Sequence, residues 1–588
     1  MTTPEARGGR SFAADPVVEA PGPLPPIWAA QLVSCDVEES VGLPDTAVLS
    51  FRDANHAFLA ATGITIGTPL RVSVVTVQGN TRARLFTGEV TALELEVDAT
   101  GSYTVVRASA VTHRLMRGRR VKAFRNMTTA DIVREVATGA GLTCGRIDSF
   151  PVVHQQLSQA NVPDWEFLQF LAQESGAQVR VDDDGRLEFV SPEAASGAPD
   201  PSTPAPRNPL VLEYGRNLLE LRGVLTGAGG ADTVEARGWN VTTKSALVAT
   251  EPAVASRTVQ PGMGSPALPG RARLTVADTP YRTQAQAAAA ARSLAASVAA
   301  GFGELEAVAE GNPRLRAGTA VALGNVGAAF SGRYTATGVR HLLEPFRGYR
   351  TTVVVSAAPD RSLAGLVTGG NAPPRGPRMP GLAVAVVTDV REPGGGQRGW
   401  VKLMFPWLDD SYVSDWVRTV QWGGAGGGGV VSPEVNDEVL VGFEQGDLDS
   451  PYVLGGLYNG VDRPSPHDVP LVDAAAGKVN RRSVVSRSGH RLELLDVPGG
   501  TSGVRLASGD GTLEVSLDQR RGEIVLTVHG LGGTAGSTVR LSPSGITLDA
   551  GTGTVDVRGG SVTVRGTAAV TVDGGAEAVL KGAFVRIN

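Results

Sequence analysis

The C-terminal segment of the chain repeats a short pattern of apolar and polar positions. Over the last fifty residues, a pair of apolar residues with one polar residue between them returns about every eight positions. Glycines between the pairs break the strands and supply the turns. The pattern therefore predicts short strands that each bury about two side chains. The apolar pairs are Val539/Leu541, Ile546/Leu548, Val555/Val557, Val562/Val564 and Val570/Val572, and the chain ends on Val585/Ile587.

Strands this short do not make a stable sheet within one chain, since even a two-stranded hairpin is marginal in water. A single-chain solenoid needs coils of roughly twenty residues or more to surround a core. A step of about eight residues suits three chains wound together, each supplying one side of a triangular prism. Residues 481–588 are therefore predicted to form an intertwined trimeric β-helix or prism, with the paired apolar residues as its core.

The preceding segments alternate in the manner of strands, with a few helical inserts. One helix is predicted after Thr128, a second over Asp164–Ser175 and a third from about Thr283 to Ala300. Within 381–460 the pattern predicts five short strands with Gly-rich turns, which suit a small closed barrel of the OB type. The predicted strands are Leu382–Val390, Trp400–Phe405, Trp416–Gln421, Glu438–Glu444 and Tyr452–Tyr458.

Composition narrows the class of protein further. The chain has 588 residues, so it is long enough for three or more domains. Its net charge is −5, which gives no electrostatic reason to expect binding to nucleic acid or to an anionic membrane. Cys35 and Cys144 lie far apart and match no zinc spacing, which indicates two small core residues in a reduced compartment. The N-terminus lacks the apolar region of a secretory signal. We therefore expect assembly in the cytoplasm.

Motifs of catalytic or cofactor chemistry are not found in the sequence. It contains no H-E-x-x-H, no G-x-S-x-G and no G-x-x-x-x-G-K-[ST], and its seven histidines are scattered. The run 424–429 matches a dinucleotide fingerprint only because it is almost all glycine. Asp447 and Asp449 could act as paired carboxylates or hold a cation, but their Gly/Pro surroundings favour an ordinary turn. The sequence predicts no enzyme, no cofactor and no metal.

Several segments resemble the VgrG and phage tail-spike family of contractile injection systems. GWVKLMFPWLDD, SDWVRTVQW and NDEVLVGFEQGDLDSPYVLGGLYNG are similar to its OB domain. KAFRNMTTADIVREVATGAGL, VHQQLSQANVPDWEFLQFLAQESGAQVRVDDDGRLEF and GNPRLRAGTAVALGNVGAAFSGRYTATGVRHLLEPFRGYRTTVVV are similar to its hub, and KGAFVRIN to its needle end. The resemblance covers most of 27–588 in the family's order.

The resemblance implies a domain order and a set of partners. The expected domains are a disordered Pro-rich tail (1–26), a hub of two barrel-like halves with a surface excursion at 191–209 (27–358), a linker (359–380), the OB-fold (381–460), a connector (461–480) and the needle (481–588). The hub would cap a hexameric inner tube as a homotrimer. Val585, Arg586, Ile587 and Asn588 would seat a PAAR-type tip protein. Baseplate proteins, effector cargo and, transiently, the target membrane complete the expected partners.

The function favoured by these features is a structural spike that punctures an envelope and delivers cargo without a catalytic step. A released, phage-tail-like particle is favoured over a type VI secretion or phage baseplate spike, because no effector domain extends the needle. Two alternatives of another class are a polysaccharide-degrading tailspike and a carbohydrate-binding adhesin. The first lacks aromatic residues along the needle apart from Phe584, and the second requires tryptophans of the barrel that are predicted to be buried.

Overall fold

The structure is a computed structural model that describes residues 12–76, 82–227, 230–264, 272–345, 347–357, 378–379, 381–530 and 535–587. It is mainly β with a few helices, which confirms the predicted fold class at that level. The chain divides into two compact units, Met1–Leu457 and Tyr458–Asn588. The predicted linker 359–380 lies outside the described residues except at 378 and 379.

The first part of the larger unit holds eleven strands and four helices in chain order. They are β1 Phe12–Glu19, α1 Pro26–Ala29, β2 Leu32–Ser40, β3 Thr46–Arg52, α2 Phe58–Thr62, β4 Pro69–Thr76, β5 Arg82–Asp98, β6 Gly101–Ser109, β7 Arg120–Thr128, α3 Thr129–Gly139, β8 Cys144–Ile147, β9 Val153–Val162, α4 Asp164–Ser175, β10 Gln178–Val181 and β11 Leu187–Val190.

The second part holds eleven more strands and one long helix, and five strands of the barrel follow. They are β12 Val211–Glu213, β13 Leu218–Leu225, β14 Thr233–Asn240, β15 Ser245–Pro252, β16 Val259–Pro261, β17 Arg273–Tyr281, α5 Gln284–Ala300, β18 Gly303–Glu310, β19 Ala320–Gly324, β20 Gly332–Thr335, β21 Gly338–Glu344, β22 Gly348–Val355, β23 Leu382–Asp389, β24 Lys402–Met404, β25 Arg418–Thr419, β26 Glu438–Phe443 and β27 Pro451–Gly456.

One ten-stranded sheet joins the two predicted halves of the hub. Its order is β1-β4-β5-β6-β3-β2-β21-β22-β18-β13, so the antiparallel pairing of β2 with β21 is the joint between early and late sequence. Cys35 lies opposite Leu343 at this joint, and both are buried. Burial raises the pKa of the Cys35 thiol, which is consistent with a core residue rather than a reactive thiol.

The three predicted helices form where the sequence places them. The hydroxyl of Thr128 accepts the Asp131 N–H at 3.2 Å and begins α3, and the hydroxyl of Thr283 accepts the Gln286 N–H at 3.2 Å and begins α5. Both helices have the reciprocal capping box, which satisfies backbone donors at their first turns. Helix α4 spans Asp164–Ser175, as predicted, and ends at Gly176 in the left-handed conformation.

One prediction for a surface segment is wrong over part of its length. The disordered tail was expected over 1–26, but residues 12–19 form β1 and pair with β4, with Val18 buried, while 1–11 lie outside the described residues. The segment 191–209 contains no strand or α-helix, and only Ala195, Ala198 and Ala205 along it are buried. Ala198 packs with Ala320 and Ala322 of strand β19.

The smaller unit holds nine strands, seven of them in one antiparallel meander. They are β28 Val472–Asp473, β29 Lys478–Val479, β30 Arg481–Val485, β31 Arg491–Asp496, β32 Ser502–Ala507, β33 Leu513–Asp518, β34 Glu523–His529, β35 Ala535–Ser542 and β36 Gly545–Asp549. Each strand from β30 to β36 pairs with the next in the sequence. No strand is assigned between 550 and 587.

Candidate functional site

The seven-stranded meander presents a continuous apolar face. Its register aligns apolar residues directly opposite one another from strand to strand, so that two rows cross the sheet. One row is Val484, Leu492, Leu506, Val515, Leu526, Val539 and Leu548. The second row is Leu494, Val504, Leu517, Ile524, Leu541 and Ile546.

Both rows are open to solvent in the single chain. Leu526 is 42% exposed, Leu494 48% and Ile546 72%. Contiguous apolar surface of this extent is rare on a soluble monomer and marks a surface that another molecule covers. The alternation of strand residues puts both rows on the same side of the sheet. This face is a candidate assembly interface, which we call the apolar face.

The opposite face of the sheet is polar and carries a buried ion cluster. Glu493 is completely buried, and its carboxylate is 2.8 Å from Nε2 of His467 and accepts from Nε of Arg505 at 2.8 Å. Arg505 also bonds to Asp468 at 2.9 Å. Burial opposes the charge on Glu493, but the bonds from His467 and Arg505 outweigh it and lower the pKa of this carboxyl.

This ion cluster gives the connector a structural role. His467 and Asp468 belong to the predicted connector 461–480, whereas Glu493 and Arg505 lie on β31 and β32. The connector therefore crosses the polar face and is fastened to it by charge-assisted hydrogen bonds, which are stronger than neutral ones. With one face occupied in this way, the apolar face is the side left for assembly.

The predicted needle-core residues fall into two groups. Val539, Leu541, Ile546 and Leu548 lie on β35 and β36, where Val539 is opposite Leu548 and Leu541 is opposite Ile546. The other six have no strand partner and are more than half exposed in the single chain. They are Val555, Val557, Val562, Val564, Val570 and Val572.

The predicted seat of the tip protein is also exposed. Val585 and Ile587 are 50% and 84% exposed, and the guanidinium of Arg586 lies 5.5 Å from the ring centre of Phe584. Asn588 lies outside the described residues. The sequence prediction missed the upstream part of the apolar face, from Val484 to Leu526. The signal was present in LELLD, LEVSLD and IVLTV, which have the same alternation with a longer period between strands.

The barrel closes as the sequence predicts. Its sheet order is β24-β23-β26-β27-β25, and bridges between Val401 and Val417 and between Met404 and Val413 connect the ends. Four of the five observed strands lie within the predicted ranges, and β27 begins at Pro451, one residue before the predicted start. Phe405 and Tyr412 are buried at its centre among valines and leucines. This arrangement is that of a small closed OB-type barrel.

The prediction that the barrel tryptophans are buried is wrong. Trp407 is 50% exposed and Trp422 is 69% exposed. Trp400 is half-buried and lies under the guanidinium of Arg398, 3.7 Å from the ring centre. For Trp400 the reason is the strand period of two, because Val401, Leu403 and Phe405 point inward and leave the even-numbered positions outside. Trp407 and Trp422 lie beyond the ends of β24 and β25.

The turn at Asp447 and Asp449 is confirmed, and it also fastens the barrel to the hub. Asp447 accepts the Ser450 hydroxyl at 2.7 Å and the Asp449 N–H at 3.1 Å, as in an ordinary Asx turn. The Asp449 carboxylate points away and accepts both the N–H and the hydroxyl of Ser158 on β9, at 2.7 and 2.5 Å. Sequence reasoning missed this contact, since residues nearly three hundred positions apart leave no local signal.

Further contacts secure the same junction. The Tyr412 hydroxyl lies 3.0 Å from Oγ of Ser158, and Ala160 of β9 packs within the barrel's hydrophobic cluster. On the side of β17 and α5, Arg282 donates to Oγ of Ser450 at 2.9 Å and Gln445 donates to the carbonyl of Ala277 at 2.7 Å. The loop after β26 is thus bonded to both parts of the hub.

In the part of the chain that the structure describes, no group of three or more His, Cys, Asp or Glu side chains is arranged to hold a metal ion. Among the same residues, none of the helices combines the length and the apolar character that a bilayer crossing needs.

A family model supports the assignment of the barrel. Residues 383–458 match the type VI secretion system/phage-baseplate injector OB domain. A second model, the Alg8 N-terminal domain, matches 68–344. That range takes in β4–β6, β13, β18 and β21 of the ten-stranded sheet but leaves out β1–β3 and β22, so it does not correspond to a complete sheet.

Curated relatives come from Pseudomonas aeruginosa. The type VI secretion system spike protein VgrG5 is 34% identical over 163 residues, and VgrG4b is 33% identical over 162 residues. Each match covers 26% of this chain and 17% of the relative, so the chain spans under a fifth of the relatives' length.

Solved structures with likeness to this chain include a Francisella PdpA-VgrG complex, with a TM-score of 0.46 at 8% identity, covering 88% of this chain and 76% of that one. Another is the E. coli c3393 protein, a type VI secretion component, with a TM-score of 0.46 at 16% identity, covering 73% and 97%.

The barrel and the match to the family model together identify residues 383–458 as an injector OB domain. The matched parts of the chain are similar to the VgrG spike proteins of type VI secretion systems and to the injector OB domain of those systems and of phage baseplates.

Proposed function

We propose that this chain is the central spike of a contractile injection machine and acts as a homotrimer. The observation that carries the proposal is the apolar face, a two-row strip that runs across seven strands and is exposed in the single chain. The occupant that fits it is the same face of two further copies. Three such faces would enclose one apolar axis and leave the polar faces, with their connectors, outside.

The narrowness of the apolar face favours three copies over two. Each strand from β31 to β36 contributes two apolar residues to the rows, about 7 Å apart on one side of the strand, and β30 contributes Val484 alone. At β33 and β34 the pair Leu513 and Val528 extends the strip. A strip this narrow is the width of one side of a slender prism, whereas a two-sheet sandwich buries wider faces. Each apolar side chain that becomes fully buried adds about 1.5–3 kcal/mol, so the trimer gains stability over its whole length.

The same logic extends to residues 551–587. Their apolar pairs continue the two-residue pattern but make no strand in one chain. We infer that these residues order only when three copies wind together, as their spacing of about eight predicts. The exposed end at Val585–Ile587 is then a threefold seat for a PAAR-type tip protein.

The role of such a trimer is mechanical. The hub would cap a hexameric tube, the barrels would form a collar with baseplate proteins, and the needle would puncture the target envelope and deliver cargo. We propose no catalytic step for the chain itself. We further propose that it assembles in the cytoplasm into a phage-tail-like particle that is released, with a type VI secretion or phage baseplate spike as the alternative of the same class.

Deletion of the gene in the producing bacterium tests this role. The proposal predicts that sheathed tubes fail to assemble in the deletion strain and reappear with the wild-type gene. It also predicts that intact particles carrying the chain are recovered from the culture medium. Normal particle assembly in the deletion strain would refute the spike role, and particles that stay bound to the cell would point to a type VI apparatus.

The exposed tryptophans favour one candidate of another class, a carbohydrate-binding barrel. Trp407 and Trp422 offer the aromatic surface that sugar rings stack on, which the buried arrangement expected from sequence would not have done. Quenching of tryptophan fluorescence by cell-envelope polysaccharide, lost in Trp422→Ala and kept in Trp28→Phe, would support this role. Unchanged fluorescence in the presence of the polysaccharide would refute the carbohydrate-binding role and leave the mechanical role as the proposed function.

A further inference from the structure

A cavity of about 130 Å³ lies where the barrel meets both parts of the hub. One water molecule needs about 10–15 Å³ of such space, so the cavity has room for a small organic group. Its walls come from β9, α4, the corner between β17 and α5, and the loop after β26. Neither the injector OB assignment nor the proposed trimer gives this cavity a role.

The polar wall of the cavity carries more negative than positive groups. Four carboxyl groups line it, on Glu174, Asp278, Asp447 and Asp449, against the two guanidinium groups of Arg282 and Arg378. Arg282 is directed to Ser450, and Arg378 pairs with Asp278 at 3.5 Å. Neither guanidinium group forms an ion pair with Glu174 or Asp447 among the described residues, although the charge of Arg282 favours the ionised form of Asp447.

The titration behaviour of these two carboxyl groups agrees with that geometry. Burial and then the charge of Asp278 raise the pKa of Glu174 to about 7, although the Tyr281 hydroxyl donates to it. Burial and then the charge of Asp449 raise the pKa of Asp447 to about 6. Both carboxylates would be stabilised by a positive group placed between them.

A neutral acceptor and an apolar wall complete the surroundings. His154 lines the cavity and is more than nine-tenths buried; its Nε2 lies 3.1 Å from Oγ1 of Thr129, while Nδ1 has no hydrogen-bond partner among the described residues. Burial lowers the pKa of His154, so the imidazole is neutral and adds no competing charge. Phe170 and Leu171 line the same cavity and offer contact to an aliphatic chain.

We propose that this cavity binds a small organic cation, an alkyl amine or alkyl guanidinium. The charged head would lie between Glu174 and Asp447 with an N–H directed to His154, and its aliphatic part against Phe170 and Leu171. Bound there, the cation would contact α4 of the hub and the barrel loop at once, and so would strengthen the junction made by Asp449 and Ser158.

Isothermal titration calorimetry of the full-length protein with agmatine tests the proposal. We expect binding at pH 7.5 that weakens at least tenfold in Glu174→Gln and in Asp447→Asn. The matched control is Asp184→Asn, which removes an exposed carboxylate far from the cavity lining and should bind as the wild type does. Butylurea, which is neutral and similar in shape, should not bind.

Two further measurements test the pH dependence of binding and the source of the cation. Affinity for agmatine should rise from pH 5.5 to pH 8, because Glu174 and Asp447 must lose their protons to pair with the cation. A blocked tripeptide with a central arginine distinguishes the sources of the cation. If it also binds, a partner's side chain can enter, and if it does not, the site takes free small cations.

The proposal is overturned if agmatine gives no heat at millimolar concentration, if butylurea binds equally well, or if both cavity variants keep the wild-type affinity. None of these outcomes bears on the trimer, because the cavity residues all lie in the larger unit and the apolar face lies in the smaller one.

Discussion

Leu526 lies directly opposite Val539 across the antiparallel pair β34 and β35, and both side chains lie on the face that the single chain leaves open. The polar neighbours Thr527 and Thr538 form the next pair on the other face. The same two-sided arrangement recurs along most of the meander, with buried Leu495 and half-buried Val525 as apolar residues on the polar face. An amphipathic sheet with an exposed apolar face is expected to pack that face against another molecule.

A charge on the apolar face should break the assembly, whereas the same charge on the polar face should not. We predict that Leu548→Asp converts the trimer to monomer, because it places three carboxylates near one axis without partners. The matched control is Thr547→Asp, one residue away on the polar face and opposite Arg540. Analytical ultracentrifugation distinguishes the species. Equal trimer content in both variants would show that the proposed facing is incorrect.

The needle beyond β36 should depend on assembly in the same way. Val562→Asp is expected to weaken the trimer less than Leu548→Asp and to leave residues 551–587 open to protease. Limited proteolysis with mass spectrometry reads out this region directly. Protection of 551–587 in a protein that remains monomeric would contradict the dependence on three copies.

The buried ion cluster should give the smaller unit an acid-sensitive stability. The pKa of Glu493 is lowered in the folded state, so its contribution is present above the unfolded value of about 4.3 and is lost as the pH falls through the folded value. We predict that Glu493→Gln lowers the melting temperature at pH 7 and that the difference from wild type shrinks below about pH 4. A difference that is constant with pH would show that the loss is one of packing rather than charge.

Asp449 should hold the barrel to the hub. We predict that Asp449→Ala destabilises the larger unit by about 1–3 kcal/mol, since it leaves donors of Ser158 buried without their acceptor. Hydrogen exchange should rise at β9 and in the loop after β26. The control Asp410→Ala removes an exposed carboxylate of the same barrel and should change neither measurement. Unchanged exchange at β9 in Asp449→Ala would show that Asp449 does not hold the barrel to the hub.

Glu174 should give the opposite dependence on pH from Glu493. Its pKa is raised to about 7 in the folded state, so ionisation costs stability as the pH rises from the unfolded value through 7. We predict that Glu174→Gln melts above wild type at pH 8 and that the two converge near pH 5. Melting curves over this range in the absence of amines check it, and a lower melting temperature at pH 8 would contradict it.

The sequence predicted most elements whose signals are local. Helices α3 and α5 have capping boxes that span four residues, and the five barrel strands have alternation and Gly-rich turns, so each lies where it was expected. The error in the disordered tail arose because that prediction rested on amino-acid composition and not on contacts. The strand at 12–19 pairs with β4, a distant neighbour that a composition argument does not include.

The candidate site was predicted only in part for a related reason. Val539 to Leu548 were found because their repeat is short, but the rows that continue to Val484 follow from register, which pairing and turns determine together. Trp400 was expected inside because it is large and apolar, but its neighbour Val401 occupies the inward position of the strand. The contact of Asp449 with Ser158 is purely tertiary.

The mass of the full-length protein in solution tests the central claim most directly. Light scattering coupled to size-exclusion chromatography should give three times the 60.7 kDa of one chain, and the species should resist dissociation by SDS. A monomer with the apolar face open, or a dimer that pairs two such faces as a sandwich, would contradict the trimeric spike.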